Sequence, residues 1–117
     1  MRPRLLLDAC LSLGEPRILV VGDLAVNCEV HGQPYRAHPA SPVILFQQTW
    51  ENQIPAAAAG IARTAQAWGA HVTLAGILGT DLLGQQLRES LITDGVDCSP
   101  IIHTPDRLTS VFETFAG

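Results

Sequence analysis

There is no lysine anywhere in these 117 residues. Arginines, spread singly from Arg2 to Arg107, supply all of the fixed positive charge, and the formal net charge is -4. A nucleic-acid surface needs clustered Lys and Arg to neutralise phosphates, so that class of partner is excluded. Charge of either sign is scarce, at 15% of residues against 47% apolar, where an average protein carries roughly 25% charged residues. A small domain has much surface for its volume and normally needs more charge than this. Part of the surface is therefore expected to be covered by further protein.

Long hydrophobic runs are missing too. No apolar stretch approaches the ~20 residues of a membrane span. Arg2, Arg4 and the run Leu5 to Leu7 begin like a signal peptide, but Asp8 interrupts the run and no adequate apolar core follows, which predicts a cytoplasmic protein without a membrane partner. The cysteines Cys10, Cys28 and Cys98 are odd in number and widely spaced, with no CxxC pair. Neither a disulfide framework nor a zinc site is indicated. His31, His38, His71 and His103 lack ligand spacing, so no metal site is expected.

The patterns that are present alternate between strand and helix. Apolar residues at Leu5, Leu6, Ala9 and Leu13 predict an amphipathic helix stopped by Gly14 and Pro16. The apolar run Ile18 to Val21 predicts a strand buried on both faces of a parallel sheet, closed by Gly22-Asp23. Val26 to His31 and Val43 to Phe46 are short strand candidates around a proline-bearing loop, Gly32 to Pro42, and together they look like an insert pairing outside the main sheet. Pro55 suits the first turn of a helix. Ile54, Ala58, Ile61, Ala62, Ala65 and Trp68 recur at helical spacing and predict its buried stripe, opposite Gly60, Arg63 and Gln66. Gly69 ends that helix, and Val72 to Leu78 returns as a strand. Thr80 or Asp81 then caps a second helix with Leu83, Leu87 and Leu91 inward and Gly95 at its end. Ile101-Ile102 and Thr109 to Phe115 are further strand candidates.

The order of Ile18-Leu-Val-Val-Gly-Asp-Leu, Pro55-Ala-Ala-Ala-Ala-Gly-Ile-Ala, Trp68-Gly-Ala-His-Val-Thr-Leu-Ala-Gly-Ile-Leu-Gly-Thr-Asp-Leu-Leu-Gly and Asp94-Gly-Val-Asp resembles the N-terminal third of the ribokinase/PfkB carbohydrate kinases. Within that family the likeness is to the bacterial heptose 7-phosphate kinases of ADP-heptose synthesis, whose Ser-Arg-Ile-Ser-Pro-Glu-Ala-Pro-Val segment is similar to Tyr35-Arg-Ala-His-Pro-Ala-Ser-Pro-Val. The resemblance implies an α/β, ribokinase-like fold: a partial parallel central sheet flanked by helices, plus a small β lid made of Val26–His31, Val43–Phe46 and Thr109–Phe115. Residues 1–117 would form the sugar-side and lid part of one such domain. A homodimer through the lid strands is implied by the same likeness.

The implied chemistry is transfer of a phosphoryl group from ATP, with Mg²⁺, to a sugar or sugar phosphate. The family's substrate loop reads Pro-Gly-Gly-Ala-Ala-Asn-Val-Ala, so the resemblance carries the sugar-binding positions onto Ala56, Ala57 and Gly60, and the family's substrate Asp onto Asn27. Each is a departure. Glycines let a backbone approach a sugar closely, and Ala56 and Ala57 add methyl groups there. Gly60 has no side chain to bond a hydroxyl, and Asn27 keeps one acceptor where a carboxylate would take two charge-assisted bonds. Losing each bond costs about 1–2 kcal/mol, which sums to a roughly 10²- to 10³-fold loss of affinity for an ordinary sugar. Asp23 is expected to support the turn, and Arg36 could meet a substrate phosphate. The family's Gly-Ala-Gly-Asp motif, which holds its catalytic base and anion hole, does not occur before Gly117, and Gly76 to Gly84 is not a P-loop. No catalytic, cofactor-binding or metal residue is therefore expected here, and ATP and Mg²⁺ would belong to the complete family fold. Two readings follow: the sugar-side portion of a carbohydrate kinase, not competent alone, or a degenerate kinase-like module acting through a partner chain or dimerisation.

Overall fold

The computed structural model describes residues 3–12 and 14–116, without the side chain of Cys10, so Arg2, Leu13 and Gly117 lie outside the described residues. In order the elements are α1 (Pro3–Ser12), β1 (Arg17–Val21), β2 (Leu24–Ala37), β3 (Ile44–Ala57), α2 (Ala58–Ala67), β4 (His71–Gly79), α3 (Leu82–Thr93), β5 (Ile101–Thr104) and β6 (Ser110–Ala116). They form two three-stranded sheets, one in the order β1-β4-β5 and one in the order β3-β2-β6.

The first sheet is parallel throughout, with Ile18 beside Val72, Val20 beside Leu74 and Gly76 beside Ile101. Helices α2 and α3 are its crossovers. A β-α-β crossover between parallel strands is right-handed, and successive crossovers running the same way across a sheet land on the same face. The buried core shows this: Ala58, Ala59 and Ala62 of α2 and Leu87 and Leu91 of α3 meet Val72, Leu74 and Leu78 of β4. Among the described residues no helix packs on the opposite face. Leu19 and Val21 are 63% and 70% exposed there, with Ile77 and Ile102 beside them. This corrects the expectation that β1 is buried on both faces. Hydrophobic character predicted a covered strand, but both crossovers lie on one side.

The second sheet is the insert expected from the sequence, and it is longer than expected. β2 and β3 pair antiparallel from Leu24–Ala57 out to Ala37–Ile44, and β6 adds parallel to β2 between Ala25 and His31. Gly32 to Pro42 was expected to be a loop; only its outer end turns, closed by the His38 N–H donating to the Val43 carbonyl. Two register shifts, after His31 and after Pro34, absorb the irregular residues. Gly32 is required at the first, because a Cβ there would lie 2.0 Å from the Gln47 carbonyl oxygen. Among the described residues β6 pairs with β2 as far as His31, and Pro34 lies past that pairing, so its missing N–H interrupts no bond to β6. The ribbon gives the molecule extents of 63 × 40 × 22 Å and a radius of gyration of 19.0 Å, against about 13 Å for a compact domain of ~100 residues.

Helix α2 starts at Ala58, three residues after the predicted first turn, because Pro55 and Ala56 still pair with Val26 and Ala25 in the ribbon. The stripe is correspondingly rotated. Ala58, Ala59 and Ala62 are buried as predicted, with Ala65 partly so, but Ile61 is 62% and Trp68 86% exposed. Helix α3 follows the prediction closely: Asp81 caps it, Leu87 and Leu91 are buried with Leu83 packed against them, and Gly95 turns the chain at φ 95°. Helix α1 forms over Pro3–Ser12 with Leu5, Leu6, Leu7 and Leu11 exposed. Among the described residues no helix is long and apolar enough to cross a membrane.

Candidate acceptor site at the base of the lid

The chain leaves β1 through Gly22-Asp23, enters the lid at Leu24, and returns from it directly into α2. Lid and helix are stitched at this point by the Ala58 N–H, which donates to the Asp23 carbonyl oxygen at 2.9 Å. Asp23 thus supports the turn through its main chain. The junction sits at the C-terminal end of β1, where open α/β sheets place ligands.

Ala57 is the residue on which the junction turns. Its backbone has φ 54° and ψ -132°, and it is the one non-glycine residue with positive φ among those described. L-residues avoid that region, at a cost of about 1–3 kcal/mol. The sequence resemblance puts a glycine at this position; the backbone here keeps a glycine-type shape with an alanine in it. No side chain caps α2; its first N–H, that of Ala58, is taken by the Asp23 carbonyl, and Ala59 behind it is fully buried.

Ala56, Ala57 and Gly60 come together on one groove of about 760 Å³, with Ile54, Ile61, Arg63 and Trp68 along it. Asn27 does not line the groove, but its cross-strand partner Ile54 does. The half-buried Asn27 lies on the same lid face, and its Oδ1 accepts from the Thr114 hydroxyl at 3.3 Å. At Gly60 a Cβ would lie 3.0 Å from the Pro55 carbonyl oxygen, so the missing side chain leaves little space for its return. Arg36 is not part of this assembly. It pairs with Leu45 near the far end of the ribbon, roughly 30 Å of strand away from Asn27, with its guanidinium over the Tyr35 ring. The groove's own cation is Arg63, which sequence reading assigned only to an outer helix face; its Nε lies 3.4 Å from Oδ2 of Asp94.

A second cluster fixes the other side of the lid. Asp81 accepts from the Gly84 N–H as the cap of α3, and from both the N–H and the hydroxyl of Thr109, the latter at 2.6 Å. The same hydroxyl accepts from the Gly79 N–H. These bonds, the Thr109 hydroxyl first among them, hold the Asp81 carboxyl below its ordinary range. They tie the end of β4 and the start of α3 to the entry of lid strand β6. Nothing in the sequence marked Thr109 beyond its place in a strand candidate. Burial pushes the Cys28 thiol up, and Glu51 and Glu113 add to the effect. Among the described residues no three His, Cys, Asp or Glu side chains are grouped to hold a metal ion, so no step through Mg²⁺ is derived from them.

The pattern of the pfkB family of carbohydrate kinases matches residues 17–116. The bifunctional protein HldE of Nitrosococcus oceani is 37% identical over 82 residues, which is 70% of this chain and 17% of that protein. HldE of Helicobacter pylori strain J99 is 32% identical over 95 residues, 81% of this chain and 20% of that protein. The chain thus spans about a fifth of the length of these curated relatives. Ribokinase from Cryptococcus neoformans var. grubii, solved in complex with ADP, superposes with a TM-score of 0.61 at 23% identity, covering 83% of this chain and 29% of that one. The fold is ribokinase-like, and the chain belongs to the pfkB family of carbohydrate kinases.

Proposed function

We propose that this stretch is the acceptor-sugar side, lid included, of an ATP-dependent kinase for a sugar or heptose phosphate. The observation that carries the reading is the junction at Asp23, Ala57 and Ala58, which brings the lid face bearing Asn27 and the groove bearing Ala56, Ala57 and Gly60 to the C-terminal end of β1. A sugar there would meet the Asn27 carboxamide and the chain at Ala56, Ala57 and Gly60 along the groove. In the complete reaction a sugar hydroxyl oxygen bonds to the γ-phosphorus of ATP, the bond to the bridging β–γ oxygen breaks, and ADP leaves. The hydroxyl proton passes to a base that the described residues do not supply. Carbohydrate kinases of this family use ATP with Mg²⁺, and the nucleotide side would come from protein beyond this stretch. The cytoplasm, where ATP and sugar phosphates occur, is the compartment this reading requires.

The test is a chimera in which this stretch replaces the corresponding residues of the Helicobacter pylori HldE, assayed with ATP and heptose 7-phosphate. Restoring Asn27→Asp, Ala56→Gly, Ala57→Gly and Gly60→Asn together is expected to raise turnover per sugar concentration by roughly 10²- to 10³-fold. A folded, restored chimera that binds no sugar overturns the reading.

The uncovered face of the first sheet favours a second reading, a kinase-like module that works by pairing with another chain. Leu19, Val21, Ile77 and Ile102 form an apolar face on that side, and among the described residues β1 has a partner strand on one side, β4. Pairing through the lid is the alternative, since among the described residues β3 and β6 are the outer strands of their sheet and Phe112 and Phe115 are exposed. Light scattering on the chain separates them: Leu19→Glu dissociates an assembly built on the sheet face, and Phe115→Glu one built on the lid.

A further inference from the structure

The lid face that carries Asn27 continues outward past the groove, and its side chains have not been assigned a task. Along β2, Asn27, Glu29 and His31 alternate with the buried Val26, Cys28 and Val30, so the three share one face. The register sets Ile54 opposite Asn27, Asn52 opposite Glu29 and Trp50 opposite His31. The His31 and Trp50 rings stack with centroids 3.8 Å apart and planes 5° from parallel. Nε2 of His31 lies 3.5 Å from Oε2 of Glu29. His31 covers part of the indole, yet Trp50 remains 53% exposed.

A carboxylate, a carboxamide and a flat aromatic surface therefore stand in a short row, and the carboxylate lies two residues outward from Asn27, a distance of about 7 Å along the strand. These are the groups a polyhydroxylated ring needs. A carboxylate accepts two hydroxyl donors through charge-assisted bonds. A carboxamide both donates and accepts, matching hydroxyls of either orientation. An indole offers a rigid apolar plane to the C–H face of the ring. The His31 contacts orient Trp50 and Glu29 together before any ligand arrives, which lowers the entropic cost of binding.

We propose that Glu29, Asn52 and Trp50 form a sugar subsite on the lid, and that Glu29 supplies the hydroxyl-accepting carboxylate that position 27 lacks. The proposal rests on the reading of this stretch as the acceptor-sugar side. It moves the sugar's polar anchor outward from the crowded mouth at Ala56 and Ala57 onto the open lid face.

The test is calorimetric titration of the chain with D-glycero-D-manno-heptose 7-phosphate, with inorganic phosphate as the control for binding through the phosphate alone. Thermal melts of every variant check folding. Glu29→Gln and Trp50→Leu are each expected to weaken binding by about tenfold or more, while Trp50→Tyr retains most of it because the aromatic plane is kept. Undiminished binding in Glu29→Gln and Trp50→Leu, together with loss in Asn27→Ala, overturns the subsite and leaves the acceptor reading standing. Binding matched by inorganic phosphate overturns it as well, as does the absence of any heat with the unaltered chain. The chimera described above tests the acceptor reading separately from all of these.

Discussion

The Thr109 hydroxyl donates to Oδ1 of Asp81 across 2.6 Å, joining two residues on different elements of the fold. One partner caps a helix of the parallel sheet; the other leads into a strand of the lid. The bond is buried on the Thr109 side, so its removal strands a carboxylate without its strongest donor.

Thr109→Val keeps the shape and removes the donor. The expected loss is about 1–3 kcal/mol at neutral pH, read by urea denaturation. The folded carboxyl titrates below its unfolded value, so its contribution is fully present above about pH 4 and fades as pH falls through the folded pKa. The Thr109→Val penalty should therefore shrink in acid. A penalty that is the same at pH 7 and pH 3 would show that the charge on Asp81 is not what the hydroxyl serves.

Ala57→Gly relieves a backbone held at φ 54°. Glycine normally lowers stability by roughly 0.5–1 kcal/mol through unfolded-state entropy, but relief of strain outweighs that here. A net gain of about 1 kcal/mol is expected, measured by denaturant midpoint. A loss would mean that the junction relaxes to accommodate the methyl group.

Gly60→Ala should not give the usual gain of about 1 kcal/mol for replacing a helical glycine. The new Cβ meets the Pro55 carbonyl oxygen at 3.0 Å, and crowding offsets propensity. Recovery of the full gain would indicate that Pro55 moves easily, and that the Asn of the family could be restored without cost.

Leu74 and Leu19 make a matched pair for the two faces of one sheet. Leu74 is fully buried, and Leu74→Ala should cost 2–5 kcal/mol, as buried leucines typically do. Leu19→Ser, on the uncovered face, should change stability by less than about 0.5 kcal/mol. An equally large loss at Leu19 would reveal a partner seated on that face in solution.

The elements whose evidence is local were legible in the sequence. A cap for α3 at Thr80 or Asp81, Leu87 and Leu91 facing inward, and the insert lying outside the main sheet all follow from spacing and cap chemistry; the structure puts the cap on Asp81 and keeps the rest. What escaped depended on partners distant in the chain. Pro34 reads as a loop residue until β2 is known to run past it, paired with β3 out to Ala37. Pro55 reads as a helix start until Val26 is known to pair with it. The apolar run of β1 marks a covered strand, whereas which face is covered depends on crossovers not visible in Ile18 to Val21. Of the candidate site, Ala56, Ala57 and Gly60 were found by their place in a motif; Thr109 and Arg63 were not, because a single threonine or arginine carries no pattern.

Because α2 and α3 occupy the same side, a sheet that gains helices on its other side must grow from β1 and not from β5. In a longer polypeptide bearing this stretch, β1 would then be an interior strand, completed by one from outside it. Such a pairing spans a large sequence separation and is slow to form. The nascent chain would leave the ribosome with Leu19 and Val21 facing water until the rest arrived, which makes this short strand the point where chaperone capture and premature aggregation compete.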